Sequence, residues 1–206
     1  MTAPAPIPTP PRGRDARLAA QQAALLALGR DALRDDPAAA LQRMTAATAH
    51  ALGVARVGVW RFAPDRSALR CAVVYDAGAD RHSAGAELTA AACPAYFREL
   101  DGSAVVAAAD ARTDARTREL AAGHLAPLGV GATLDVSVRP AGRAGSMLRC
   151  EHVGPPRAWE ADERVFAVAV GDLVALALER AERTRAESVL ALQTAVLEAV
   201  ATGQPL

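Results

Sequence analysis

Val130-Gly-Ala-Thr-Leu-Asp-Val-Ser-Val138, Pro140-Ala-Gly-Arg143, Ala144-Gly-Ser-Met-Leu-Arg-Cys-Glu-His-Val153, Gly154-Pro155-Pro156 and Trp159-Glu-Ala-Asp-Glu163 read in turn as strand, turn, returning strand, stop and helix start. Leu134, Val136 and Val138 alternate with other residues, so one face of the first strand is apolar. Pro and Gly punctuate the turn, and the second strand comes back antiparallel. Pro155 and Pro156 end the sheet, because proline has no ladder donor and a fixed φ. The helix that opens after Trp159 carries Phe166, Val170, Leu173, Leu176 and Leu178 on its apolar positions.

Working outward toward the C-terminus, Glu179 to Glu187 is polar nearly all round, and no Gly or Pro intervenes before Gly203-Gln-Pro205. Val189, Leu192, Val196 and Val200 then resume an apolar stripe. A helix from Glu160 to Thr202 would be about 60 Å long at about 1.5 Å per residue. Such a helix cannot bury its far stripe against its own domain, and a parallel copy of itself is the simplest partner. The alternative is a break near Arg185, with the second half folded back. Leu197-Glu-Ala-Val200 and the Gly203-Gln-Pro-Leu206 that follows look like the lead-in to a further sensory module, such as a kinase or other output domain. Both a fragment of a larger protein and a stand-alone product fit that ending.

On the N-terminal side, Met1 to Arg14 is rich in Ala and Pro and is expected to be a disordered tail. Asp15 is expected to cap a helix to about Leu33, and Pro37 to open a second that Gly53 terminates. Strands are expected over Ala55–Phe62 and Leu69–Asp76, with Val57 and Val59 on one face and Gly58, Trp60 and Phe62 on the other. Ala77–His82 reads as loop, Ala86–Leu88 as a short edge strand, Ala90–Leu100 as a helix capped by Thr89, and Ser103–Ala107 as a strand. Asp110-Ala-Arg-Thr-Asp-Ala-Arg-Thr117 is a tandem repeat whose Asp and Thr side chains favour turns and helix starts, with Asp114 the expected cap of a helix to Leu125.

The 206 residues suffice for one domain with helical extensions, and 51% apolar with 22% charged residues is a globular composition. All 23 fixed positive charges are Arg, balanced by 23 acids, so no net field favours nucleic acid or an anionic membrane. No run approaches the ~18 apolar residues of a membrane span, and the Pro-rich start is not a secretory signal. Cys71, Cys93 and Cys150 have neither CxxC nor zinc-ligand spacing and read as reduced thiols of a cytoplasmic protein. No cofactor is indicated. No Walker A, GxSxG, HExxH or histidine-kinase motif is present, so the chain is not expected to be an enzyme.

The combination of Leu134-Asp-Val136, Glu151-His-Val-Gly-Pro-Pro-Arg-Ala-Trp159, Asp162-Glu163 and Phe166 resembles the GAF domain family over residues 20 to 180. That resemblance implies an α+β fold, with a central antiparallel sheet of about six strands, helices on its faces and a long C-terminal helix. The division it implies is a tail (1–14), a GAF-like domain (15–180) and a signalling or coiled-coil helix (181–206). It also implies a sensory or regulatory module of bacterial signal transduction that binds a small molecule, dimerises, or both. In related proteins the pocket lies between the sheet and its covering helices, and Asp110-Ala-Arg-Thr113 resembles a stretch that borders it. Carried over by position, the lining is Tyr75, Tyr96, Phe97, Val106, Ala108, Asp110, Leu125, Leu128, Thr133, Asp135 and Cys150. A closed core of the same residues is the competing reading. Asp135 stands out, because an inward carboxylate needs a partner. His124 is expected to meet helix-end carbonyls. In bilin-holding relatives a Cys-His pair precedes the glycine matching Gly129 by about two helical turns; Leu120 and Ala121 stand there, so covalent bilin attachment is not expected. A second class within the family is the thiol-dependent free methionine sulfoxide reductase, whose cysteine motif is not found around Cys71, Cys93 or Cys150.

Overall fold

The computed structural model describes residues 13–33, 36–139 and 145–202, with side chains as far as residue 194. The expected tail as far as Arg12, the turn at Pro140–Arg143 and the side chains of Val196 and Val200 lie outside the described residues, while Gly13 and Arg14 of that expected tail belong to the start of a helix.

Among the described residues seven strands form one sheet: β1 (Arg56–Phe62), β2 (Ala68–Asp76), β3 (Arg81–Ser83), β4 (Glu87–Thr89), β5 (Val105–Ala108), β6 (Val130–Val138) and β7 (Ser146–Val153). The order is β3-β2-β1-β7-β6-β5, with β4 also on β2, and every pairing is antiparallel. The central hairpin read from sequence is the β6–β7 pair, and Asp135 stands opposite Arg149 in it. The expected loop at Ala77–His82 instead yields strand β3 at its end, which hydrogen-bonds to β2. A three-residue edge strand carries too little pattern to be seen by alternation.

One face of the sheet is covered by α2 (Pro37–Leu52) and α4 (Ala161–Thr202), and α1 (Arg14–Asp31) packs on these two helices. Asp15 is not the cap of α1; Gly13 holds that place without a side-chain bond, and Asp15 sits in the first turn, where its charge suits the positive helix end. α2 starts as expected: the Asp36 carboxylate accepts from the Ala39 N–H at 3.0 Å, and Pro37 occupies the first turn. Gly53 ends it in the left-handed region at φ 58°. Leu28, Met44, Leu52, Val57, Val59, Leu134, Val136, Leu148, Phe166 and Val170 form an apolar core between these helices and the sheet. A Cβ on Gly171 would come 3.0 Å from a Val136 methyl, so α4 sits low over β6 because that position has no side chain.

The opposite face is covered by α3 (Pro94–Gly102) and the segment 110–129. α3 starts at Pro94 rather than Ala90; Thr89 ends β4, and its hydroxyl accepts from the Ala92 N–H across a turn. The expected helix from Asp114 to Leu125 is a 3-10 turn (Arg118–Leu120) followed by a π turn (Ala121–Leu125). Asp114 turns its carboxylate onto the Arg116 N–H and guanidinium, which tightens the chain before a regular helix can start.

α4 is continuous for 42 residues, about 63 Å at about 1.5 Å per residue. It starts at a reciprocal-type cap, in which the Glu163 carboxylate accepts from the Glu160 N–H at 2.9 Å. Residues 183 to 194 are exposed, so this stretch runs on from the body without folding back on it.

Candidate functional site

Strand alternation sends Arg56, Gly58 and Trp60 of β1, Thr133 and Asp135 of β6, and Met147, Arg149 and Glu151 of β7 to the face away from α2 and α4. Three of these are ionisable and buried on adjacent strands: Asp135, Arg149 and Glu151. Ions at such depth persist only when paired and hydrogen-bonded.

Arg149 and Asp135 form a two-pronged bond, Nε to Oδ1 at 2.9 Å and Nη2 to Oδ2 at 3.0 Å, with both side chains about 1% exposed or less. The Tyr96 hydroxyl donates to Asp135 Oδ2 at 2.8 Å and accepts from Arg149 Nη2; the Met147 sulfur lies 2.8 Å from the same oxygen. Burial works against the charge on Arg149, and Asp135 beside it more than offsets that, so the guanidinium is held more firmly protonated than in water. The Tyr96 phenol is raised above its ordinary pKa, chiefly by burial. Arg149 also lies over the Tyr96 ring, 5.0 Å from its centroid.

One step along β7, Glu151 accepts from Arg56 Nε at 3.0 Å and is bonded to His124 of the π turn. Arg56 continues to Asp76 at 2.9 Å. Burial alone would raise the Glu151 carboxyl; the His124 bond and the charges of His124, Arg149 and Arg56 outweigh it and hold the pKa below the usual range. His124 thus does not serve helix-end carbonyls as expected. It pins the cover to the sheet and stands edge-on to Trp60 at 5.9 Å between centroids.

Among the described residues, two buried polar atoms on this face have no partner: Arg149 Nη1 and Thr133 Oγ1. They lie diagonally on neighbouring strands, since Thr133 is opposite Glu151 and Asp135 opposite Arg149.

Of the positions carried over from the family, Tyr96, Phe97, Val106, Ala108, Leu125, Leu128, Thr133 and Asp135 come together on this face or its cover. Asp110 lies at its edge, where its carboxylate accepts from the Arg112 N–H. Tyr75 and Cys150 do not belong with them: alternation puts both on the helix-covered face, in the core with Val57 and Leu134. The Tyr75 hydroxyl donates to Asp80 at 2.7 Å, and its ring packs on His82. Arg149, Glu151, His124, Arg56 and Trp60 were not on the sequence-derived lining. The signal for Arg149 was there, because an inward Asp135 in a hairpin calls for a cation on the strand opposite.

Solved structures of phytochrome and GAF domains share this architecture. A bacteriophytochrome from the photosynthetic bacterium R. palustris matches at TM-score 0.65 and 17% identity, over 92% of this chain and 44% of that one. The phycoerythrobilin-bound GAF domain of a cyanobacterial phytochrome matches at 0.66 and 19%, covering 80% and 97% of the two chains. The GAF domain of a phosphoenolpyruvate-protein phosphotransferase from Coxiella burnetii matches at 0.66 and 12%, covering 82% and 98%. The chain thus spans less than half of the bacteriophytochrome and nearly the whole of the two isolated domains. No curated protein matches it. The fold is that of the GAF domains in these structures. The pattern of the GAF domain family matches residues 36–178, and the chain belongs to that family.

Proposed function

We propose that this GAF domain is a sensory or regulatory module that works without catalysis. It binds a small molecule on the Tyr96–Asp135–Arg149 face and passes the change of state along α4 within a homodimer. The observation that carries the reading is α4 itself. It leaves the body as an unbroken helix and presents Val189, Leu190 and Leu192 at 50%, 64% and 66% exposure. An apolar stripe so exposed needs a partner, and a second copy supplies the same stripe. Among the described residues no helix is long and apolar enough to cross a membrane, which suits a stripe that meets protein rather than lipid.

The ligand side is supported by Arg149 Nη1 and Thr133 Oγ1, two donors without a partner among the described residues, on a face where Arg149 Nε pairs with Asp135 and Arg56 with Glu151. A molecule that offers an acceptor to Arg149 would meet both. Its way in is through 110–129, where 3-10 and π turns replace a regular helix. A bilin held through a cysteine does not fit this proposal, since Leu120 and Ala121 stand where the attachment pair would be. Thiol catalysis fits poorly as well. All three cysteines are buried, the Cys71 thiol is pushed up to about 11 by burial, and Cys93 and Cys150 are raised for the same first reason.

The full chain with Val189→Glu and Leu192→Glu tests the helix role by sedimentation. The proposal expects a dimer for the parent and a folded monomer for the variant. A parent that is monomeric at all concentrations, or a variant that dimerises equally well, would refute it.

A further inference from the structure

On the face opposite the ionic network, a groove of about 450 Å³ opens where α4 leaves the body. Its floor is Ala72 and Val73 of β2, its walls the first turns of α2 and the Leu178–Ala181 turn of α4, and its end the His82–Ala84 stretch. Small side chains make the space: Ala38, Ala72, Ala84 and Ala181 all border it. Leu41, Val73 and Leu178 belong to the core yet keep 8%, 7% and 4% exposure, and all three line the groove. The hydrophobic interior is therefore reachable from solvent here.

The polar end of the groove is positive. Arg61 borders it, and a second hollow of about 370 Å³ continues past Arg61 along α4 to Arg185 and Ser188. Glu182 is the acidic residue on these walls, and it is bonded to Arg61. Both partners are half-exposed, at 44% and 59%, so the bond is one that a competing anion can replace.

We propose that this groove is a second ligand site, distinct from the Arg149 face, for a free amphiphilic monocarboxylate. Its carboxylate takes Arg61 in place of Glu182, and its alkyl body lies over Leu41, Val73 and Leu178. A planar carboxylate matches the fork of the Arg61 guanidinium, and about 450 Å³ is the size of a small-molecule pocket. Occupancy would cut the tie that holds the start of the protruding part of α4 to the end of β1. The proposal stands on the groove alone and does not depend on the nature of any ligand at Arg149.

The test is calorimetric titration of the full chain with decanoate, and with decanol as the neutral control. Saturable decanoate binding is expected at one site. It should weaken about tenfold in Arg61→Gln, tighten a few-fold in Glu182→Gln, and vanish in Ala72→Leu or Ala181→Leu, which fill the groove. Decanol should bind equally to the parent and Arg61→Gln. Retained cooperative melting shows that each variant folds. Absence of saturable binding to the parent, or affinity unmoved by both Arg61→Gln and the filling substitutions, overturns the proposal. So does loss of self-association in Ala181→Leu without any decanoate binding, which would assign the groove to a second copy. Binding that appears only with anionic lipid vesicles overturns it in favour of a membrane surface.

Discussion

The two faces of the sheet are built on opposite terms. Beneath α2 and α4 the core is apolar, and long regular helices cover it. Beneath α3 and 110–129 the sheet presents Arg149, Asp135, Glu151 and Arg56, and the cover is made of short, irregular turns tied down by single bonds. Close packing makes the first face insensitive to chemistry and sensitive to volume. The second is sensitive to the loss of any one partner, because each group left behind is a buried charge. Rigid support on one side and a poised polar layer on the other is an arrangement in which a ligand could act on the polar side and be read out on the helical one.

The contrast is sharpest in a pair of substitutions. Arg149→Leu strands Asp135 in a site of 0% exposure and should cost about 3–5 kcal/mol, while Asp135→Leu with Arg149→Met together should recover most of it. Leu134→Ala, on the same strand pair but facing α4, should cost about 2–5 kcal/mol, with no second substitution across the register to restore it. Urea unfolding followed by circular dichroism reads both. A double variant no more stable than Arg149→Leu would show that the polar layer is not governed by pairing.

The hairpin that creates this layer was legible in the sequence, but its register was not: a turn at Pro140–Arg143 is centred between Ala141 and Gly142 and would set Asp135 opposite Leu148, whereas the strands pair Asp135 with Arg149. The hairpin, the alternation of β1, the capped start of α2 and the length of α4 follow from local pattern, because each is decided within a few turns of chain. Tyr75 and Cys150 went to the wrong face because position in a family was followed where alternation with Val57 and Leu134 would have corrected it. His124 could not have been placed by pattern. Its partner Glu151 lies 27 residues away, and the π turn that carries it arises from how 110–129 closes over the sheet.

The second test uses pH. The folded-state pKa of Glu151 is depressed, so its contribution is complete above the ordinary carboxylate range and is lost as pH falls through the folded value. Stability should therefore drop in acid, and Glu151→Gln should flatten that part of the profile while costing about 1–3 kcal/mol near neutrality, where Arg56 loses an ionic partner and His124 a hydrogen-bond partner. Leu134→Ala should lower the whole curve without changing its slope. Melting temperatures across the acid range distinguish the two. An unchanged slope in Glu151→Gln would remove Glu151 from the groups that couple this face to protons.

The smallest expected effect separates the faces by how their helices begin. α2 is capped from within: Asp36 accepts from Ala39, three residues on. α3 has no such cap, since Cys93 makes no side-chain bond; Glu119 of the 3-10 turn reaches over to accept from the Ala95 N–H at 2.8 Å and the Tyr96 N–H at 3.1 Å. Removal of either carboxylate should cost about 1 kcal/mol. The consequence differs in extent. Asp36→Ala should loosen only the first turn of α2. Glu119→Ala should release the start of α3, the 3-10 turn and the π turn together, because one bond set joins them, and with them the anchorage of the Tyr96 hydroxyl over Asp135. Amide exchange would show faster exchange in 94–102 and 118–125 for Glu119→Ala and in 37–40 alone for Asp36→Ala. Exchange confined to 94–97 in Glu119→Ala would mean that the cover and α3 move independently, and that the polar face has no single door.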